Sequence, residues 1–313
     1  MKYFLCPLLF LLPFLIPKST FAQVSGVTNI AISPDGQLLA KAVYGKDLTV
    51  WNIDGEKLRL KKTLPFRCNC TGIPLAISPD NKTIAVSYDK IKLLDIDSGK
   101  VRHTLNGYGA SPALFTFSPD GQLLAGGMGP GEIMVWNTRT GKLQYAMNTW
   151  KDKKRDYGNI KDIAFAGNKT LISGFSGGKI YTWNIVTGQR SRSLNIGNTF
   201  WIVLDKKGRT AASRGSNINS PVHIWDVKTG KLLHSISLYG RNTTGTISND
   251  GSKLITWSFE WKMIKAWDTH TGKLLHRWNL NPSPFFEILQ FLPNGKQFVS
   301  SAGTDKLKIW NIK

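Results

Sequence analysis

A tryptophan followed by asparagine or aspartate returns along this chain at a nearly constant interval: Trp51-Asn52, Trp136-Asn137, Trp183-Asn184, Trp225-Asp226, Trp267-Asp268 and Trp310-Asn311. Leu94-Asp95 fills the one vacant slot, and the steps are then 43, 42, 47, 42, 42 and 43 residues. A unit of this length cannot bury its own apolar face, so successive units must stack against one another to make a continuous core. The 313 residues are therefore read as one large domain of seven units rather than two average domains.

A second landmark lies 16 to 20 residues before each slot: Ser33-Pro34-Asp35-Gly36, Ser78-Pro79-Asp80-Asn81, Ser118-Pro119-Asp120-Gly121, Ala166-Gly167-Asn168-Lys169, Asp205-Lys206-Lys207-Gly208, Ser248-Asn249-Asp250-Gly251 and Leu292-Pro293-Asn294-Gly295. Pro presets φ, Asp bonds the nearby backbone, and Gly or Asn tolerates positive φ, so each is a hairpin turn. Apolar residues one and three places before the turn, such as Ile32 and Ile30 or Phe117 and Phe115, have the period of a strand. A short apolar strand, a loop and the tryptophan strand follow. Thr140-Gly141, Thr187-Gly188, Thr229-Gly230 and Thr271-Gly272 then mark a second turn. Each unit is predicted to be a four-stranded meander, which makes the chain all-β.

In register, these motifs resemble a seven-bladed WD-repeat (WD40) β-propeller, in the bacterial secreted style whose inner hairpin reads Ser-Pro-Asp-Gly. The resemblance covers about residues 24 to 313, with repeats near 24–66, 67–108, 109–152, 153–196, 197–240, 241–282 and 283–313. Such repeats often brace a blade with a buried network of Asp, His, Ser or Thr, and Trp. Only Asp89 and Asp305 stand where that Asp would, and no Gly-His pair precedes a repeat. The resemblance therefore implies blades held mainly by apolar packing. The last blade is expected either to keep three strands or to borrow residues 19–26 as a fourth along 307–312, with three strands preferred.

The first 22 residues differ from the rest: Lys2, an apolar run from Tyr3 to Ile16, then Thr20-Phe21-Ala22. This pattern predicts a secretory signal over 1–22 and a mature propeller over 23–313, in the periplasm or outside the cell. The apolar run is too short to cross a bilayer comfortably, and no later stretch is apolar enough, so no transmembrane span is expected in the mature chain. Cys6 lies too near the start of the run to take a lipid.

The periodicity also removes candidates. Six of the 11 tryptophans are strand positions, and Asp35, Asp80, Asp120 and Asp250 belong to turns. No nucleophile elbow, metalloprotease helix motif or phosphate loop is present. No catalytic residue, metal site or cofactor is predicted, and the chain is expected not to be an enzyme. Cys68-Asn69-Cys70, between the first two repeats, could form a tight disulfide in an oxidising compartment or remain as thiols.

Charge is distinctive, with 41 Lys and Arg against 20 Asp and Glu. In a meander both turns open on one face, where Lys57, Lys100, Lys142, Lys231 and Lys273 recur at the second turn. A solubilising surface or adhesion to anionic polysaccharide or lipid follows from such a ring. Nucleic acid is not expected, because no aromatic-basic recognition motif accompanies it. The opposite face collects the longer loops and would display Tyr44, Tyr88, Tyr108, Tyr157, Arg214, Arg241, Phe259 and Trp261. These residue types concentrate binding energy at interfaces. The leading expectation is a non-enzymatic scaffold of the cell envelope that binds a protein or peptide through that face. An electrostatic adhesin, and a propeller lyase or hydrolase without a nominated site, are the alternatives.

Overall fold

The computed structural model describes residues 27–67, 73–87, 90–106, 112–128, 131–148, 158–197, 199–217, 219–238, 243–258, 260, 262–280, 288–301 and 306–312. Blade 1 consists of β1 (Val27–Ile32), β2 (Leu38–Val43), β3 (Asp47–Asp54) and β4 (Lys57–Arg67), and blade 2 of β5 (Leu75–Ile77), β6 (Thr83–Ser87), β7 (Ile91–Asp95) and β8 (Val101–Leu105). Blade 3 holds β9 (Pro112–Phe117), β10 (Leu123–Met128), β11 (Glu132–Asn137) and β12 (Leu143–Asn148). Blade 4 holds β13 (Ile160–Phe165), β14 (Thr170–Phe175), β15 (Lys179–Asn184) and β16 (Gln189–Asn195). Blade 5 runs through β17 (Trp201–Leu204), β18 (Thr210–Arg214), β19 (Val222–Asp226) and β20 (Leu232–Ile236). Blade 6 runs through β21 (Thr243–Ile247), β22 (Lys253–Ser258), β23 (Met263–Asp268) and β24 (Leu274–Asn279). Blade 7 has three strands, β25 (Leu289–Phe291), β26 (Gln297–Ser301) and β27 (Leu307–Asn311).

Every blade is an antiparallel meander in sequence order, so the chain is a seven-bladed β-propeller without helices among the described residues. The preferred form of the last blade is the one observed; the alternative partner segment, 19–26, lies outside the described residues.

Seven apolar clusters hold the ring, and each joins two neighbouring blades. Leu64 and Phe66 meet Ile73 and Ile84 between blades 1 and 2, and Trp257 and Ile264 meet Phe291 and Phe298 between blades 6 and 7. The seventh cluster joins Val27, Ile30, Leu39 and Val43 of blade 1 to Leu292, Val299 and Ile309 of blade 7. The circle is thus closed by packing. Burial of apolar surface between sheets is the dominant favourable contribution in such a stack, and a single blade has nothing to pack against by itself.

The first turn of each blade and the segment that leaves its third strand lie at one end and are bonded to each other. Ile53, Ile96, Thr138, Ile185, Val227, Thr269 and Ile312, each two residues past the tryptophan slot, donate their N–H to the carbonyls of Gln37, Lys82, Gln122, Lys169, Arg209, Ser252 and Lys296 at 2.8–3.0 Å. The repeated Ser-x-Asp turn explains its own sequence. Ser33 Oγ donates to Asp35 Oδ1 at 2.6 Å and accepts the Leu38 N–H at 2.9 Å, and Ser78, Ser118 and Ser248 do the same with Asp80, Asp120 and Asp250.

Hydrogen bonds from the tryptophans add to the apolar packing. Trp183, Trp225, Trp267 and Trp310 donate Nε1–H to Ser173 Oγ, Ser213 Oγ, Thr256 Oγ1 and Ser300 Oγ at 2.8–2.9 Å. Each acceptor lies on the second strand, two residues beyond the one paired with the tryptophan. In blade 3 that position is Gly126, and Trp136 donates instead to the Asn106 carbonyl at 3.0 Å. In blade 1 it is Lys41, and Trp51 finds Thr49 Oγ1 at 2.9 Å. Asp89 and Asp305, the only residues in line for the rest of such a network, lie outside the described residues.

Candidate functional site

The innermost strands of all seven blades surround a central channel. A cavity of about 360 Å³ within it is lined from every blade, including Asn29, Pro74, Leu114, Asp162, Val203, Thr246 and Ile288. Toward the turn face a second cavity, of about 320 Å³, is walled by Ile32, Ile77, Phe117 and Phe165, with Pro34, Pro79, Pro119 and Pro293 around it. Lys206 and Lys207 interrupt that collar, because blade 5 carries them where blades 1 to 3 have Pro and Asp.

Asp162 is the ionisable group deepest in the channel. Burial pushes its carboxyl up to about 6, against the lowering effect of the Leu204 N–H, of Lys206 and of the Ile163 N–H, while nearby Asp205 adds to the rise. Protein surrounds it on all sides, yet part of its surface borders the channel, so channel water tempers the rise. Both oxygens are committed to backbone: Oδ2 accepts the Leu204 N–H at 2.8 Å and Oδ1 the Ile163 N–H at 2.9 Å. Asn29 holds the same place in blade 1, also just after a bulge. Its Oδ1 accepts the Ile30 N–H and its Nδ2 donates to the Ile73 carbonyl, both at 2.8 Å. The two polar channel residues therefore clasp one blade to the next.

The Asn or Asp after the tryptophan slot is equally occupied in blades 2 to 6. Asp226 Oδ1 accepts the Thr229 N–H and Oγ–H at 2.6 Å, and Asp268 treats Thr271 likewise. Hydrogen bonds from the Thr229 hydroxyl and N–H hold the Asp226 carboxyl below its ordinary range. Asp95, bonded by the Ser98 N–H and by Arg102, lies lower still. Among the described residues no group of three or more His, Cys, Asp or Glu could hold a metal ion.

On the turn face Lys57, Lys100, Lys142, Lys231 and Lys273 are all exposed. The five histidines also fall where expected: His223 on a third strand, His103, His234 and His276 on fourth strands, and His270 in a turn. Burial lowers the His223 pKa.

On the loop face Tyr44 is 38% exposed. Arg214 is 5% exposed, and its Nε donates to the Ser220 carbonyl at 3.0 Å, so this guanidinium braces its own loop. Tyr88, Tyr108, Tyr157, Arg241, Phe259 and Trp261 lie outside the described residues, as do Cys68 and Cys70. A residue not foreseen from sequence is Phe200, 65% exposed in the loop that leads into blade 5, with Lys161 Nζ 5.5 Å from its ring centre. Its N–H donates to the Arg214 carbonyl at 2.9 Å. Its neighbour Trp201 begins the strand, and an aromatic just outside the strand period is the signal that marks it.

No protein-family model matches the chain. It is 33% identical to human apoptotic protease-activating factor 1 over 179 residues, covering 55% of this chain and 14% of that protein. It is 25% identical to meiotic recombination protein rec14 of Schizosaccharomyces pombe over 169 residues, or 53% of each. With WD repeat-containing protein 82 of Drosophila melanogaster it shares 29% over 135 residues, 40% of this chain and 42% of that one. Fold and similarities together support a WD40 propeller. The chain matches from about a seventh to about half of these relatives' own lengths.

Proposed function

We propose that this protein is a non-enzymatic scaffold of the cell envelope, delivered by a signal over residues 1–22, that binds a protein or peptide partner through its loop face. The observation that carries the reading is Phe200, which at 65% exposed and beside Lys161 is the most exposed large apolar side chain among the described residues. An exposed aromatic next to a cation is the kind of anchor on which interface energy concentrates. Tyr44 extends the surface. Tyr88, Tyr108, Tyr157, Arg241, Phe259 and Trp261 belong to the same loops by sequence. The channel carboxylate argues against a catalytic reading, since both Asp162 oxygens are bonded to backbone N–H groups.

The test is capture from an envelope extract of the producing cell, followed by titration of the retained protein against Phe200→Ala and Trp261→Ala. Loss of about tenfold or more in affinity at an unchanged melting temperature supports the reading. Unchanged dissociation constants for both variants reject the loop face. Sequencing of the N-terminus of the isolated protein checks the signal: a start at residue 23 agrees, and a start at residue 1 opposes it.

A further inference from the structure

The outer strands carry a pattern that the interaction reading does not use. At the position paired with the tryptophan slot stand Leu60, Val101, Leu143, Leu232 and Leu274 in blades 1, 2, 3, 5 and 6. They are 54%, 50%, 41%, 40% and 46% exposed, and form half of the ten exposed large apolar side chains among the described residues. The residue before each is an exposed cation: Arg59, Lys100, Lys142, Lys231 or Lys273. Among the described residues none of these four lysines is ion-paired, while Arg59 meets Asp54 at 3.2 Å. Blade 4 breaks the series with Gln189-Arg190, whose guanidinium lies 4.8 Å from the Tyr181 ring centre.

Equivalent register in successive blades puts these pairs on one circle, at the outer margin of the turn face. A protein partner draws its affinity from a contiguous, well-packed patch. Aliphatic knobs spaced blade by blade, each beside a cation, make no such patch. They match a broad, planar, fluid and anionic layer, where each aliphatic can enter the headgroup region and each cation can meet a phosphate. The turn carboxylates near them are already bonded within their own turns, and Lys82, Lys169, Lys206, Lys207, Lys253 and Lys296 add further positive charge to the same end. We propose that the rim of the turn face docks on the surface of an anionic lipid bilayer.

The test is sedimentation of the protein, as purified from its producing cells, with vesicles of phosphatidylcholine plus phosphatidylglycerol, with phosphatidylcholine vesicles alone as reference. The comparison is among variants that share one N-terminus. Binding to the anionic vesicles only is expected. Joint replacement Leu143→Gln, Leu232→Gln and Leu274→Gln should weaken it about tenfold or more, with the melting temperature and the binding of soluble polyphosphate unchanged. The paired change Gln189→Lys and Arg190→Leu completes blade 4 and should strengthen it roughly fivefold. Wild type that ignores anionic vesicles overturns the proposal. So does vesicle binding that depends on the lysines but not on the leucines, the result that marks general polyanion attraction. The blade 4 gain decides the matter should the triple variant lose its fold.

Discussion

Asp162 Oδ2 accepts the Leu204 N–H at 2.8 Å, a single bond that ties the inner strand of blade 4 to that of blade 5 across the channel wall. Burial raises this carboxyl to about 6 from an unfolded value of 3.8, so the folded protein holds the proton more tightly. The associated stability is complete below 3.8 and is lost as pH rises through about 6, at up to about 1.4 kcal/mol per pH unit before the tempering by channel water. Asp95 and Asp226, with lowered values, act only as pH falls below 3.8. His223, also lowered, costs stability as pH falls below 6.5. Subtracting Asp162→Asn isolates the one group. Thermal unfolding followed by circular dichroism should show wild type gaining on the variant as pH drops from about 7 to about 4.5. A difference that is constant across that range would refute the raised carboxyl.

The Trp183 indole is 2% exposed and its N–H has Ser173 Oγ as acceptor at 2.8 Å. Ser173→Ala leaves a buried donor unmet and should cost about 1–3 kcal/mol. The equivalent position in blade 3 is Gly126, where a Cβ would stand 3.0 Å from the Trp136 ring and 3.2 Å from that of Phe115. Gly126→Ala should also destabilise, by overpacking of about 1–3 kcal/mol. Urea unfolding of both variants checks the pair. Indifference to either change would mean that this position does not brace the blade.

How much of this was legible beforehand depends on which contacts are local. The seven meanders were, because the turn at Ser33-Pro34-Asp35-Gly36 and the Asn or Asp after the slot in blades 2 to 6 bond to their own neighbours within five residues. The three-stranded last blade could be read as well, since only four residues separate the expected cleavage site from β1. The Trp-to-Ser bond was not legible, because its partner is ten to twelve residues away and is found only once the strand register is known. Asn29 and Asp162 were likewise missed. Each reaches a different blade, 44 and 42 residues on, and nothing in a single repeat announces such a contact. The loop face was legible as a list of residue types, whereas the burial of Arg214 and the exposure of Phe200 depend on how particular loops fold back.

Gly178, at φ +81°, would place a Cβ 1.5 Å from the Gly197 carbonyl oxygen, and its own carbonyl accepts the Ile196 N–H at 2.8 Å. Gly178→Ala must displace the segment that leaves blade 4 and should cost about 3 kcal/mol or more. Gly167, also at positive φ but with open space around it, should tolerate alanine at about 1 kcal/mol. Equal losses in the two variants, measured by thermal unfolding, would show that the close approach is not what selects glycine at 178.

The seam between blades 7 and 1 is the one junction in the ring between blades that do not follow each other in sequence. Blades 1 to 7 are linked in order by the backbone, whereas the last junction relies on Leu39, Val43 and Val27 against Leu292, Val299 and Ile309, with Asn311 Nδ2 donating to Glu56 Oε1 at its margin. Opening there separates two faces without straining a connection, so local opening should begin at this seam. Leu39, fully buried and paired with Ile32 and Trp51, is the sensitive position. Leu39→Ala should cost about 2–5 kcal/mol, and native-state hydrogen exchange should show β1, β26 and β27 losing protection while β14 and β18 keep theirs. Ile172→Ala, in the cluster between blades 4 and 5, should instead lower protection throughout the ring, because that junction opens only with global unfolding. Uniform loss in Leu39→Ala would mean that the seam is as cooperative as the rest of the circle.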